Sequence, residues 1–305
     1  MKRTVLCVMG LFIMCSWAVA GPKAKKGFTN SLGMTFVYVK GGTFVMGSPK
    51  GEEGRDDNEI LHRVKLTRGF YMQAREVTVG QWRAFVEETG FKTEAEKGDG
   101  AYVWTGGIYE KKAGYYWDKP GFAQTDSHPV TCVSWNDAQA FIKWLGDKEK
   151  KPYALPTEAQ WEYACRAGAK SARYWGEDPD GACSYGNVAD GTVKKQFARW
   201  TTHACEDGYV YTAPVGGFKP NSFGLYDMLG NVWEWCRDKC WSKGKVATHT
   251  YRRGIKNPLG SKGADRVIRG GAWSASPRDV RCAYRLLGDP AFRDGSLGFR
   301  LVRKK

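Results

Sequence analysis

Residues 266–305 read RVIRGGAWSASPRDVRCAYRLLGDPAFRDGSLGFRLVRKK, and the fold is decided on this stretch. Short β-rich runs at 267–269 and 299–302 bracket it. Between them lie a corner at Gly270-Gly271, arginines at short intervals and a single cysteine, Cys282. Adjacent glycines let the backbone turn where a Cβ would forbid it. A long arginine-supported loop between two strands is therefore expected, closed by Gly298-Phe299-Arg300.

Working outward, three helices stand out. At 78–88, Val79, Trp82, Phe85 and Val86 share one face, and Gly90 offers a C-terminal stop. Ser134 with Asp137 is an N-cap pair ahead of the apolar stripe Trp135, Ala138, Phe141, Ile142 and Leu145. Thr157-Glu158-Ala159-Gln160 is a capping box that leads into Trp161, Ala164 and Cys165. Further β-rich runs occur at 36–39, 43–46 and 64–66. With 38 Gly and 12 Pro, much of the remainder is expected as turn and loop. Residues 94–124 and 242–264, rich in Gly, Lys and Tyr, look like long surface excursions. The fold class expected is α+β, one domain over 30–305, low in regular secondary structure.

Residues 1–20 carry the marks of a signal peptide: Lys2 and Arg3, an apolar run, then Ala18-Val19-Ala20. Residues 21–29 read as a short leader. The expected location is periplasmic or secreted, with no membrane span. Removing 1–20 would take the nine cysteines to seven, which in an exported chain are disulfide candidates first. Four scattered histidines form no zinc spacing. The formal charge of +15 is spread among acids, with no helix-turn-helix or RNP-like signature, which argues against nucleic acid. The acidic group Glu52, Glu53, Asp56, Asp57 and Glu59 reads as a solvated loop. Trp233 and Trp235 read as core.

Six ordered segments carry a resemblance: GGTFVMGSP (41–49), REVTVGQWRAF (75–85), HPVTCVSWNDAQAF (128–141), LPTEAQWEYACRAG (155–168), TAPVGGFKPNSFGLYDMLGNVWEW (212–235) and RVIRGGAW…GFRLV (266–302). Together they resemble the formylglycine-generating enzyme, or sulfatase-modifying-factor, family. The resemblance implies a single C-type-lectin-like domain. It also implies an oxidase whose copper is held by two cysteines just after the Gly-Gly corner, thiolate being the soft ligand that Cu(I) prefers. Here Ala272 stands where the oxidases carry a serine, the loop is about three residues shorter, and no cysteine occurs before Cys282. Copper is not expected.

The resemblance further implies a disulfide between Cys165 and Cys282. A second family bridge maps onto Ile142 and Leu301, both halves replaced together. Two structural Ca²⁺ sites carry over, one at Asn187, Val188, Asp207 and Tyr209, the other at Asp227, Gly230, Val232 and Glu234, with the oxygen ligands that this ion needs. Cys183 and Cys205 flank the first as a plausible bridge, though spacing leaves the pairing open.

Three functions follow as alternatives. The first is an exported, calcium-stabilised non-oxidase module that binds a protein or small ligand, through a surface of Trp273, Ser274, Ser276, Arg278, Asp279, Tyr284, Asp289, Phe292 and Asp294. The second is an oxidase of the formylglycine-generating type, or one that uses another metal or oxygen chemistry. The third is ligand display diversified by a retroelement: positions 274–279 and 286–296 contain no Lys, Glu, Gln, Met or Trp.

Overall fold

The computed structural model describes residues 27–105, 107–241 and 254–304. The expected signal peptide, most of the leader and residues 242–253 lie outside the described residues. The first elements are β1 Gly27–Thr29, β2 Thr35–Val39, β3 Thr43–Met46, β4 His62–Lys65 and β5 Phe70–Gln73. Next come α1 Val79–Thr89, α2 Glu94–Lys97, β6 Ala101–Thr105, β7 Ile108–Lys112, α3 Trp135–Glu149, β8 Tyr153–Ala154 and α4 Glu158–Arg166. A 3₁₀ turn at Pro179–Ser184, α5 Gly191–Gln196, β9 Trp233–Cys240, β10 Ile255–Lys256, β11 Asp265–Arg269, β12 Arg285–Gly288, β13 Leu297–Gly298 and β14 Val302–Lys304 complete the chain.

The three expected helices form, each started by a complete capping box: Thr78 with Gln81, Ser134 with Asp137, Thr157 with Gln160. Each box satisfies two otherwise orphaned amides, worth about 1 kcal/mol. α1 ends at Gly90 in the left-handed region, φ 65°. Its Trp82 stacks on Phe141 of α3 at 5.6 Å, and Phe299 from the C-terminal stretch meets both rings edge-on. One core cluster is this aromatic layer; a second surrounds Trp161 of α4.

The strands pair as β1-β2-β5-β14-β8, β10-β4-β3, β12-β11-β9-β13 and the hairpin β6-β7. The run expected at 299–302 is not one strand. Leu297 and Gly298 join β9 in parallel, Val302 to Lys304 pair with β5 and β8, and residues 299–301 cross buried between the sheets. The excursion at 94–124 also holds α2 and the β6–β7 hairpin; its polar composition hid an alternation too short to read. Among the described residues helix is 19% and strand 25%, so the shortage of regular structure there lies in helix alone. Among the described residues no helix is long and apolar enough to cross a membrane.

Candidate functional site

At the end of β11 the chain turns through Gly270 (φ 109°) and Gly271 (φ 79°), both in the left-handed region. A Cβ on Gly270 would stand 3.2 Å from the Trp161 ring. The turn drives the next two side chains inward: Ala272 is fully buried and Trp273 is 1% exposed. The Trp273 ring meets Tyr211 at 5.0 Å, Trp200 at 6.0 Å, Phe122 at 6.1 Å and Phe197 at 6.5 Å, and its Nε1 donates to the Gly295 carbonyl. The cavity left beside it, lined also by Trp104, Asp294 and Ser296, is about 10 Å³, room for roughly one water. Asp294 is buried and accepts from Tyr109 and Ser296.

The surface expected on 273–294 is therefore split and corrected. Trp273, Tyr284 and Asp294 are buried; Ser274, Ser276, Asp279 and Phe292 are half-buried; Arg278 and Asp289 are exposed. Burial of large aromatic area holds Trp273 inside. Ser276 and Arg278 face a separate groove of about 570 Å³. There Ser276 binds Asp279 and Arg278 pairs with Asp56.

The arginines of this stretch act as buried ionic anchors. Arg281 bonds both oxygens of Glu59 (2.6 and 2.9 Å) and reaches Glu52 at 2.5 Å, so these two acids are not part of a solvated loop as expected. Arg285 grips Glu158 through two bonds of 2.7 and 2.8 Å, and Arg269 lies between Glu158 and Glu162. A buried guanidinium persists where carboxylates and carbonyls take its charge and its donors.

Cys165 and Cys282 face each other as thiols, Sγ to Sγ 3.5 Å, rather than as the bridge the resemblance implied. Cys132, Cys236 and Cys240 are also buried thiols. Cys183 and Cys205 are bonded, with Cα atoms 6.0 Å apart. Replacing both by serine should cost about 3 kcal/mol in a urea melt, since the bond closes a loop of 22 residues. An unchanged midpoint would show that this bridge leaves stability untouched.

The residues expected to hold calcium are brought together as two neighbouring groups. In the first, Asn187 Oδ1 is buried without a hydrogen-bond partner, while Asp207 accepts from the amides of Val188 (2.9 Å) and Tyr209 (2.8 Å). Burial, reinforced by nearby Asp190, pushes Asp207 up to about 7. Among the described residues, one trio of ligand-type groups converges, Cys183, Asp190 and Asp207; the Cys183 sulfur is spent in its disulfide. In the second group Asp227 Oδ1 has no partner, and burial raises its carboxyl to about 6. Both Glu234 oxygens are taken, by Arg300 and by Trp161 Nε1. Sequence reading missed Glu76, which is fully buried with Oε2 unbonded and its pKa well above the ordinary value, from burial and then Asp227. Asn231 ties the groups together, its amide donating to the Asn187 carbonyl and its side chain to Glu76. Orphaned hard oxygens beside buried carboxylates that outnumber their one buried cation, Arg300, fit a Ca²⁺ ion.

A model of the sulfatase-modifying factor enzyme 1-like domain matches residues 23–305. The formylglycine-generating enzyme of Streptomyces coelicolor is 35% identical over 93% of this chain and 92% of its own length. The mouse protein named inactive C-alpha-formylglycine-generating enzyme 2 is 30% identical over 94% of this chain and 91% of its own. Among solved structures, PvdO from Pseudomonas aeruginosa superposes with a TM-score of 0.75 at 30% identity, covering 93% of this chain and all of that one. Motifs, fold and relatives agree: this chain belongs to the sulfatase-modifying-factor, formylglycine-generating-enzyme-like family.

Proposed function

We propose that the protein is an exported, calcium-stabilised member of this family that binds or assembles rather than oxidises. One observation carries the reading: no cysteine follows Gly270-Gly271 before Cys282, and the first large side chain after the corner, Trp273, fills the space behind it. A copper oxidase of the formylglycine type needs two accessible thiolates there. The next thiol along the chain, Cys282, is fully buried against Cys165. A relative at 30% identity is itself named inactive. On the same reading Cys165 and Cys282 close into a bridge in an oxidising compartment.

Calcium would be held by Asn187, Val188, Asp207 and Tyr209, and by Asp227, Gly230, Val232 and Glu76, with Glu234 shared with Arg300. Its charge would compensate acids that burial otherwise leaves costly. Two arms test the reading. Incubation with copper, reductant and a Cys-x-Pro-x-Arg peptide should leave the peptide mass unchanged; conversion of cysteine to the aldehyde would sink the non-oxidase assignment. Chelation should lower Tm and calcium restore it, by about 2.7 kcal/mol of stability at a hundredfold excess over Kd. A Tm indifferent to calcium would remove the metal from the proposal.

A further inference from the structure

The groove of about 570 Å³ runs between the loop after β3, the loop after α4 and the segment 276–278. This is an ordinary size for a small-molecule site. Arg173 lines it and is 6% exposed. Its guanidinium donates to two carbonyls, Glu177 at 2.9 Å and Pro277 at 2.6 Å, and its Nε has no partner. Among the described residues no carboxylate is ion-paired with it, unlike buried Arg166, Arg269, Arg281, Arg285 and Arg300. Two acids stand near without pairing with it: Glu52 bonds Arg281, and Glu177 accepts from the Ala172 amide through one oxygen, so both favour the guanidinium only at a distance. Burial, then the charge of Arg281, hold the Arg173 pKa below the ordinary guanidinium value. Charge buried this way calls for an anion.

We infer that this groove binds a small organic monocarboxylate, its carboxylate on Arg173 and its apolar body against Ala172, Pro179 and Pro277. Lys170 and Arg278 at the margin favour entry of an anion, while Glu52, Glu53 and Glu177 repel one of higher charge. A guanidinium is the matched partner of a carboxylate. The inference rests on the binding reading above only in giving the module a ligand; it needs neither calcium nor the absence of oxidase activity.

The test uses the full chain after export, titrated calorimetrically with hexanoate, hexanamide and inorganic phosphate. Hexanoate should bind and raise Tm, and hexanamide should bind at least about tenfold more weakly, a difference of about 1.4 kcal/mol. Arg173→Met should erase that preference. The acid-against-amide comparison is made on the unaltered protein, so it decides even where the variant fails to fold. Equal binding of acid and amide, displacement of hexanoate by phosphate, or no binding of any probe overturns the assignment. The peptide-oxidation assay can fail or succeed independently of all three.

Discussion

Replacing Arg300 with methionine should destabilise the protein by about 3–5 kcal/mol, a large share of an ordinary domain's stability. Arg300 is fully buried. Its Nε and Nη2 lie 2.6–2.8 Å from the Glu234 carboxylate, and Nη2 also donates to the carbonyls of Tyr226 (3.0 Å) and Asp227 (3.2 Å). Glu76 stands 3.9 Å from the same nitrogen. Methionine keeps most of the volume but leaves Glu234, Glu76 and Asp227 without this cation. Chemical denaturation of R300M, with calcium present, measures the loss. Adding Glu234→Gln should recover part of it, because one stranded charge is then removed. If R300M melts as the parent does, the ionic hub is not what holds these loops.

Trp273→Ala should cost a similar amount, about 3–5 kcal/mol, through lost packing and the cavity left behind. The indole is enclosed by Phe122, Phe197, Trp200 and Tyr211, so the void can collapse only by moving several rings together. Such apolar cavities stay dry and accept apolar guests. Indole added to W273A should therefore raise its Tm, and should leave the parent unchanged. A variant that is stable and blind to indole would show that the slot re-forms without its central ring.

Legibility in the sequence followed the range of the interaction. Thr78, Ser134 and Thr157 announced their helices because a capping box is written within four residues. Gly270-Gly271 announced the corner for the same local reason. Trp273 did not announce its burial: nothing in GGAWSAS tells that Tyr211, Trp200 and Phe122 will close over it from elsewhere in the chain. Glu52 and Glu59 looked solvated because their partner, Arg281, lies 222 residues beyond Glu59. Glu76 was invisible as a candidate site residue, since its neighbours are distant in sequence, Asn231 lying 155 residues further along the chain and Asp227 close to it. Strands of two or three residues such as β8, β10 and β13 carry no periodicity to detect; pairing alone creates them. The residues proposed for calcium were legible only through family resemblance; in the structure Asn187 and Asp227 each keep a buried oxygen without a hydrogen-bond partner.

β14 lies between β5 and β8 in the five-stranded sheet, so residues 302–304 are the bond between an early strand and a middle one. β5 can pair early with β2, but β8 has no strand partner in this sheet until residues 302–303 are made. Closing the sheet is then a non-local event with a large loop-closure cost, which slows it. Removing residues 302–304 would therefore open the sheet from its interior rather than fray its edge.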